Sequence, residues 1–540
     1  MFPILNNMKL FFYSFIILFV SNVSAWQTTE AKSCHDHLLN TLSNSIEVQN
    51  LEKIGALYHK NRYVCIWDAE NIDQLVKASE EKMLNYDKKA YHTEVLKRLL
   101  SKREVTPLSG EELARLELLA SDQFLQFAKD LYEGQIDQKA FQAILHESEE
   151  EKHYVWEPNP RIPNYLNDLQ VSLSTHLVQK LLERYIPQEK EYRELVKAYF
   201  AYEDIKFPHI DYVKDLKEGD YGFAVVQLKK YLYVTGDLED ADNAYLEFPN
   251  FDEKLKKAVL RFQKRHYLKQ NGIFDRVNVL YARKSPKEKR QKIRLNIERY
   301  KLFPRVKGDT YIVINIPGFW LHFYKDNTLL EDIFVVIGRE DRPTPIFSDY
   351  LEYVVLNPTW SIPQNLMKKD YIPHLVENPT SLLEDDIHIY QGGREVDPTK
   401  VDWSKYLDRE GNVPFQMIQK AGEKNVLGEM KFIFPNKYNV YLHDTNAKKL
   451  TTRRYRLYSS GCIRLSQPYV LLSLLAPYTH YSYEQMVDMI HRGKTVHVKL
   501  RRKIPIHIRY LTAFVDEEGR VNFRKDFYGY DKIQEKLLAD

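Results

Sequence analysis

The spacing of apolar residues changes period near residue 306, and that change constrains the fold more than any other feature of the chain. Before it, apolar residues recur at helical intervals. "SGEELARLELLASDQFLQFAKDLYEGQID" places Leu113, Leu116, Leu118, Leu119, Phe124, Leu125 and Phe127 at such spacings. Ser109 with Glu112 three residues on is a capping-box pattern, and Gly134 is a C-terminal stop. A further helix is expected over Glu189–Tyr202. Beyond the change, "TYIVINIPGFWLHFYK", "DIFVVIG", "SDYLEYVVLNP", "MKFIFP" and "YNVYLHD" alternate and are rich in β-branched and aromatic residues. Short strands separated by Pro and Gly point to a β-sandwich or a barrel-like domain. A chain of 540 residues is too long for one core. The expected class is therefore α+β and multidomain, helical first and β-rich later.

Finer boundaries follow from local pattern. Residues 26–210 read as a helical scaffold with nothing catalytic in view. Residues 211–283 read as a small compact helical unit, in which Leu255, Ala258, Val259 and Phe262 form one apolar helix face. The basic stretch "KSPKEKRQKIRLNIERYK" reads as a linker over 284–305. The β-rich domain occupies 306–500. Its strand signal lapses over 364–424, and an ordered insertion of that size is commonly a lid or a binding element. Residues 501–540 read as a hairpin around Glu517–Arg520 and then an exit helix.

Charge excludes one class of partner. The chain carries 78 basic and 75 acidic residues, net +3, and so has no electrostatic footprint for nucleic acid. No HExxH occurs, and "GKT" at Gly493 lacks the upstream glycine of a phosphate loop, because Asp488 stands there. At the N-terminus Lys9 precedes an apolar run, Leu10 to Val20, broken only by Ser14, and Val23-Ser24-Ala25 follows. The run is too short to span a bilayer comfortably, which fits a signal peptide over 1–25 cleaved after Ala25. The alternative is an uncleaved anchor, the only membrane contact expected. Either way the body of the chain is exported.

Export changes how the three cysteines read. Cys34 and Cys65 can pair in an oxidising compartment. Cys462 is then left over, and an odd cysteine in an exported protein suggests a reactive thiol. "CHDH" at Cys34–His37 is poor geometry for a closed metal shell, so neither metal nor cofactor is expected. Cys462 follows "LYSSG", 19 residues after His443, which ends the strand "YNVYLH". A cysteine nucleophile must be a thiolate, and a neighbouring imidazole is its usual partner. Gly461 permits a tight backbone whose amides can face an oxyanion. The bland alternatives are a buried apolar thiol and an ordinary histidine.

The segment from His443 through Ser459-Ser460-Gly461-Cys462-Ile463-Arg464 resembles the active site of the L,D-transpeptidases, whose signature is a histidine, a gap, then Ser-x-Gly-Cys-(Ile/Val)-Arg. "VVIGREDRPTPIFSDYLEYVVLNPTWSIPQNL", "EVDPTKVDW", "QKAGEKNVLGEMKFIFPN" and "YLTAFVDEEGRVNFRKDFYGYD" resemble that family's large periplasmic YcbB-like subgroup. Ser460 stands where many members carry a second histidine, and Ala421 where a proline is usual. The unit at 211–283 resembles a peptidoglycan-binding three-helix domain, with departures at Asn271, Asp275 and Asn278.

The resemblance implies a cysteine acyltransferase acting on peptidoglycan tetrapeptide stems. Cys462 attacks a diaminopimelate carbonyl, D-alanine leaves, and the thioester passes to the amine of a second diaminopimelate. His443 is the expected base. Tyr441, two residues earlier on the same strand, supports the oxyanion or packs in the core. Gly461 is an oxyanion donor. Arg464 either binds a substrate carboxylate or forms an ion pair under the site. Asp444 or a backbone carbonyl orients the imidazole. Ser460 is a substrate-contact candidate, and Trp360 and Trp403 are substrate platforms or core residues. Basic residues of the connecting loop, Arg453, Arg454 and Arg456, are expected to meet stem carboxylates. The insertion would cap the substrate and the C-terminal piece would pack back on the scaffold. A glycan-polymerising synthase and a D,D-carboxypeptidase are the implied partners. A lipoprotein ligase or hydrolase on the same site, and a non-enzymatic wall-binding scaffold, are the alternatives.

Overall fold

The computed structural model describes residues 37–42, 48–147, 155–157, 161–305, 307–407 and 410–539. The expected signal peptide and Cys34 lie outside the described residues. Cys65 is disulfide-bonded and Cys462 is free. Among the described residues no helix is long and apolar enough to cross a membrane.

The chain divides into two compact units. The first is helical, with helices at Leu51–Lys60, Ala69–Glu80, Thr93–Val105, Gly110–Tyr132, Tyr165–Thr175, Val178–Tyr185 and Lys190–Asp204. Gly110–Tyr132 is its axis. The Ser109–Glu112 capping box forms in both directions, at 3.2 and 3.0 Å. Buried Glu117, midway along this helix, accepts the amides of Ile66 and Trp67 at 2.8 and 3.0 Å and the Tyr58 hydroxyl at 2.7 Å. A carboxylate so placed pins a loop that has no ladder of its own. Burial raises its pKa to about 7.

The second unit holds the helical module at 211–283 and the β-rich domain. The module closes its own core around Leu228, Tyr231, Leu255, Val259 and Phe262. The β-rich domain begins with β1 (Thr310–Asn315), β2 (Trp320–Lys325), β3 (Thr328–Gly338) and β4 (Ser348–Leu356). An insertion adds β5 (Trp360–Ser361), β6 (Ile387–Gln391), β7 (Arg394–Glu395) and β8 (Gln416–Gln419). Then come β9 (Met430–Ile433), β10 (Leu442–His443), β11 (Leu457–Ser459), β12 (Ile463–Leu465) and β13 (Val496–Arg509), and a hairpin of β14 (Ala513–Val515) and β15 (Val521–Phe523). The main sheet runs β11-β3-β12-β10-β9-β4-β13-β1-β2, and β2 pairs again with β3. That second pairing closes the sheet, which removes the exposed edges of an open one. Of the two architectures the sequence allowed, the barrel is the one formed.

Three segments differ from expectation. The insertion is wider than 364–424: its sheet, β5-β8-β6-β7, starts at Trp360, and its core runs from Trp360 to Leu427. Strand β13 runs through the boundary expected at 500. The expected linker at 284–305 is instead a helix, Pro286–Lys301, with Ile293, Leu295, Ile297 and Arg299 fully buried. Its charge-rich composition hid this because the charges are partnered. Arg299 donates to Asp531 at 2.8 Å, to Thr512 Oγ1 at 3.0 Å and to Gln534 Oε1 at 2.7 Å. Lys292 reaches the other Asp531 oxygen at 3.1 Å.

Asp531 belongs to the exit helix Tyr530–Ala539, which packs on the helix Gln138–Glu147, Phe141 meeting Tyr530 ring to ring at 6.0 Å. Removing one partner of a buried ion pair leaves the other charged and unpaired. Asp531→Ala is expected to lower the free energy of unfolding by about 3–5 kcal/mol. Guanidinium denaturation of the variant against the parent reads this, and a loss under about 1 kcal/mol would show the pair to be dispensable.

Candidate active site

Strand β10 is two residues long and sits between β9, antiparallel, and β12, parallel. Leu442 lies opposite both Phe432 and Ile463, and all three are fully buried. Directly opposed residues share a face and successive residues alternate. His443 is therefore flanked on the other face by Lys431 of β9 and Arg464 of β12. Tyr441 shares that face. The Ile463 amide donates to the Tyr441 carbonyl at 3.1 Å, which sets Cys462 beside Tyr441. Core burial of three apolar residues thus gathers Tyr441, His443, Lys431, Cys462 and Arg464 on one surface.

The proton on His443 can be placed. Its Nδ1 lies 2.5 Å from the Asp444 carbonyl oxygen, and a carbonyl only accepts. Nδ1 therefore carries the hydrogen, and Nε2 presents a lone pair, the form a general base needs. Burial and the nearby charges of Arg464 and Lys431 lower the pKa of the imidazole to about 3, against a weaker rise from the Asp444 carbonyl. The histidine is neutral at ordinary pH.

Cys462 is half-buried, and its thiol donates to the Asn439 carbonyl at 3.9 Å. Burial raises its pKa; the Tyr441 backbone and hydroxyl and the charges of Lys431 and Arg464 oppose that rise. The Tyr441 hydroxyl meets both Cys462 and the Trp360 indole. Indole N–H only donates, so the hydroxyl accepts from Trp360 and is free to donate toward sulfur. The Tyr441 ring stands 5.7 Å from that of His443.

The loop carrying the thiol is tied from below. Ser459 Oγ donates to the Cys462 carbonyl at 2.5 Å and accepts the Gly461 amide at 3.2 Å. Thr344 Oγ1 donates to the Gly461 carbonyl at 2.9 Å and accepts the Gly338 amide at 2.9 Å. The Tyr528 hydroxyl takes the Thr344 amide at 3.1 Å and donates to the Gly338 carbonyl at 2.8 Å. A residue from the C-terminal segment therefore holds the shelf on which the cysteine turn rests. Gly461 has φ +114°, which side chains rarely adopt.

The other expected residues fall differently. The Gly461 amide is engaged by Ser459, which removes it as an oxyanion donor in this arrangement. The Asp444 carboxylate is engaged elsewhere: it accepts the Glu429 amide at 3.0 Å and pairs with Lys448, and its backbone carbonyl serves His443. Trp360 is buried in the core of the insertion, and so is Trp403. Ser460 is exposed and accepts from Arg342 at 3.3 Å, while Arg342 pairs with Asp370 of the insertion. Arg464 shares the site's face, and its Nε is buried without a partner among the described residues. Arg456 does not reach outward. It is buried and donates to the carbonyls of Val335, Arg453 and Phe319. Arg453 and Arg454 are exposed. Sequence reasoning missed Lys431, Thr344, Ser459 and Tyr528. Lys431 had a signal: in "MKFIFP" it is the polar member of an alternating strand.

Thiol, lone-pair imidazole, tyrosine hydroxyl and two cations on one face of a closed sheet define a cysteine acyl-transfer site. Comparison with known proteins agrees. Residues 309–496 match the YkuD L,D-transpeptidase catalytic domain, and residues 52–198 match a Scaffold domain. A putative L,D-transpeptidase from Haemophilus influenzae is 31% identical over 243 residues, which are 45% of this chain and 48% of that protein. The match thus spans about half the length of this curated relative. Among solved structures, an L,D-transpeptidase from Mycobacterium smegmatis aligns at 13% identity and TM-score 0.18 over 37% of this chain and 58% of that one. The L,D-transpeptidase LdtMt1, solved with imipenem, aligns at 14% identity and TM-score 0.17 over the same shares. Over residues 309–496 the β-rich domain therefore matches the YkuD L,D-transpeptidase catalytic domain, and its site has the groups such an enzyme needs.

Gly461→Ala forces a side chain into the left-handed region and is expected to destabilise by about 1–3 kcal/mol. The exposed neighbour serves as the comparison, with Ser460→Ala expected to cost under about 0.5 kcal/mol. Equal denaturation midpoints for the two variants would show that the turn relaxes without strain.

Proposed function

We propose that this protein is an exported L,D-transpeptidase that joins two diaminopimelate residues of neighbouring peptidoglycan stems. The observation that carries the reading is the lone pair on His443 Nε2, held on the same face as Cys462 within a YkuD-type domain. Cys462 Sγ, its proton passed to Nε2, attacks the carbonyl of the diaminopimelate–D-alanine bond in a tetrapeptide donor. The Tyr441 hydroxyl supports the charge that develops. The proton on Nε2 goes to the departing amine, and D-alanine leaves a thioester on Cys462. The side-chain amine of a second diaminopimelate then attacks the thioester and restores the thiol. Exposed Arg453 and Arg454 on the loop between base and nucleophile are suited to stem carboxylates. The 211–283 module, with exposed Tyr221, Phe223 and Phe248, is suited to the glycan. The export leader expected at 1–25 sets the work in the periplasm. Substrate of this kind requires a synthase that polymerises glycan and a D,D-carboxypeptidase that trims pentapeptides.

Purified tetrapeptide muropeptides test the reading. Cross-linked dimers and free D-alanine are expected, and Cys462→Ala abolishes both. Tripeptides alone would make the protein a hydrolase; intact tetrapeptides with retained sacculus binding would make it a scaffold. A carbapenem is expected to leave one covalent adduct per chain by intact mass spectrometry, absent in Cys462→Ala.

The pH dependence has a definite sign. The imidazole stays neutral above its pKa of about 3, and burial raises the thiol above its ordinary value. The acylation rate of Cys462 is therefore expected to climb with pH through the alkaline range, with no inflection near the ordinary histidine value of about 6.5. Stopped-flow acylation by a carbapenem from pH 5 to 10 reads this. An inflection at that ordinary value would show His443 titrating normally.

A further inference from the structure

The thiolate that this site must form needs a counter-charge. In many cysteine enzymes that charge is the imidazolium of the base. Here the imidazole is fully enclosed, and its pKa is lowered further by the cations on either side. An imidazolium next to Lys431 and Arg464 is the least favourable place for the charge to sit.

Lys431 is the residue with the geometry to take that part. Strand register puts it directly opposite His443 on the site's face, with Val355 of β4 on its other side. Its Nζ stands 3.8 Å from the centroid of the Tyr441 ring, the tyrosine whose hydroxyl meets Cys462. The ring holds the ammonium by cation–π attraction, and the cost of that placement is desolvation. No carboxylate among the described residues pairs with it. The ionisable groups facing Cys462 are Lys431 from β9, Tyr441 and His443 from β10, and Arg464 from β12. Arg464 also feels the Cys462 charge, and after it Tyr371 of the insertion and Arg339; in lowering the thiol pKa it ranks behind Lys431. None of these groups is an acid that would neutralise Lys431.

We propose that Lys431 is the positioning cation of this active site, its ammonium parked on the Tyr441 ring as the standing counter-charge of the Cys462 thiolate while His443 shuttles the proton as a neutral base. The idea deepens the transpeptidase reading and rests on it for its place in the reaction. When Sγ ionises in the resting enzyme its proton goes to solvent. During acylation the proton goes to Nε2, and the negative sulfur faces Lys431 until it bonds to the carbonyl carbon. The enzyme therefore does not depend on a stable imidazolium. Electrostatic matching of sulfur to ammonium also explains why β9 carries a lysine at a position where its desolvation is unfavourable. The pKa shifts agree in sign: the Cys462 charge favours protonated Lys431, and Lys431 favours ionised Cys462.

Alkylation by iodoacetamide tests this without any peptidoglycan substrate. Cys462 is the free cysteine among the described residues, and Cys462→Ser gives the background. The pH profile of alkylation of the full chain is recorded for the parent and for Lys431→Met, Lys431→Gln and Lys431→Arg. Removal of the charge is expected to raise the midpoint by about one pH unit or more, with the rate at pH 7 falling about tenfold, and arginine is expected to restore most of the shift. An unchanged midpoint in whichever of the methionine and glutamine variants retains the parent's thermal transition would overturn the proposal and leave Lys431 as packing for Tyr441. Alkylation reads the thiolate directly. A shifted midpoint in a protein that forms no cross-links would thus retain the counter-charge and refute only the transpeptidase reading.

Discussion

Two residue pairs of parallel ladder, Leu442 with Ile463 and His443 with Arg464, hold the chemistry of this protein in place. The first pair faces the core with Phe432, and the second lies on the site's face with Lys431. Strand period is two, so a slip of one residue would turn the histidine into the barrel core and the leucine toward the reacting groups. The packing that stabilises the barrel therefore also specifies which atoms meet in the site. The strands are short, yet their register is set by neighbours on both sides. Strand β4 pairs with β9 across four residues and with the long β13, so the position of β10 is fixed from the barrel outward.

The same arrangement explains what could and could not be read from sequence. The Ser-x-Gly-Cys-Ile-Arg run was legible because its message is local: a turn that needs a positive φ, a thiol, and a strand start. The capping box at Ser109 was legible for the same reason. Lys431 was not, because its part depends on a register partner 12 residues away. For the partner of His443 the sequence left the Asp444 carboxylate and a backbone carbonyl both open, because a bond from Nδ1 to the carbonyl of the next residue needs no particular side chain. Arg456 read, like Arg453 and Arg454, as a loop charge that meets stem carboxylates. The three carbonyls that its guanidinium satisfies come from three separate parts of the chain. The helix Pro286–Lys301 looked like a linker because composition counts charges but does not pair them. Its partners, Asp531, Thr512 and Gln534, are more than 200 residues further on.

Two outlying segments reach the site through a few side chains. The insertion supplies the Trp360 indole to the Tyr441 hydroxyl, and Asp370 to Arg342, which in turn holds Ser460. The C-terminal segment supplies Tyr528 to Thr344 and so to the Gly461 turn. Neither segment provides a reacting atom. Both fix groups that touch one. A tyrosine hydroxyl that accepts from an indole has its remaining hydrogen aimed elsewhere, and here that direction is toward sulfur. The insertion thus orients a donor in the reacting site as well as forming a small core of its own.

Burial pulls the two catalytic groups in opposite directions. An enclosed thiol resists losing its proton and an enclosed imidazole resists gaining one, so low polarity alone would leave the pair inert. The surrounding charges are both positive, which acts on the two groups differently. Cations make the imidazole still harder to protonate, and they make the thiolate easier to form. A site built this way favours the state in which sulfur is charged and histidine is neutral over the state in which both are charged. Acyl transfer then needs the imidazole only for the instant in which a proton moves between sulfur and a departing amine.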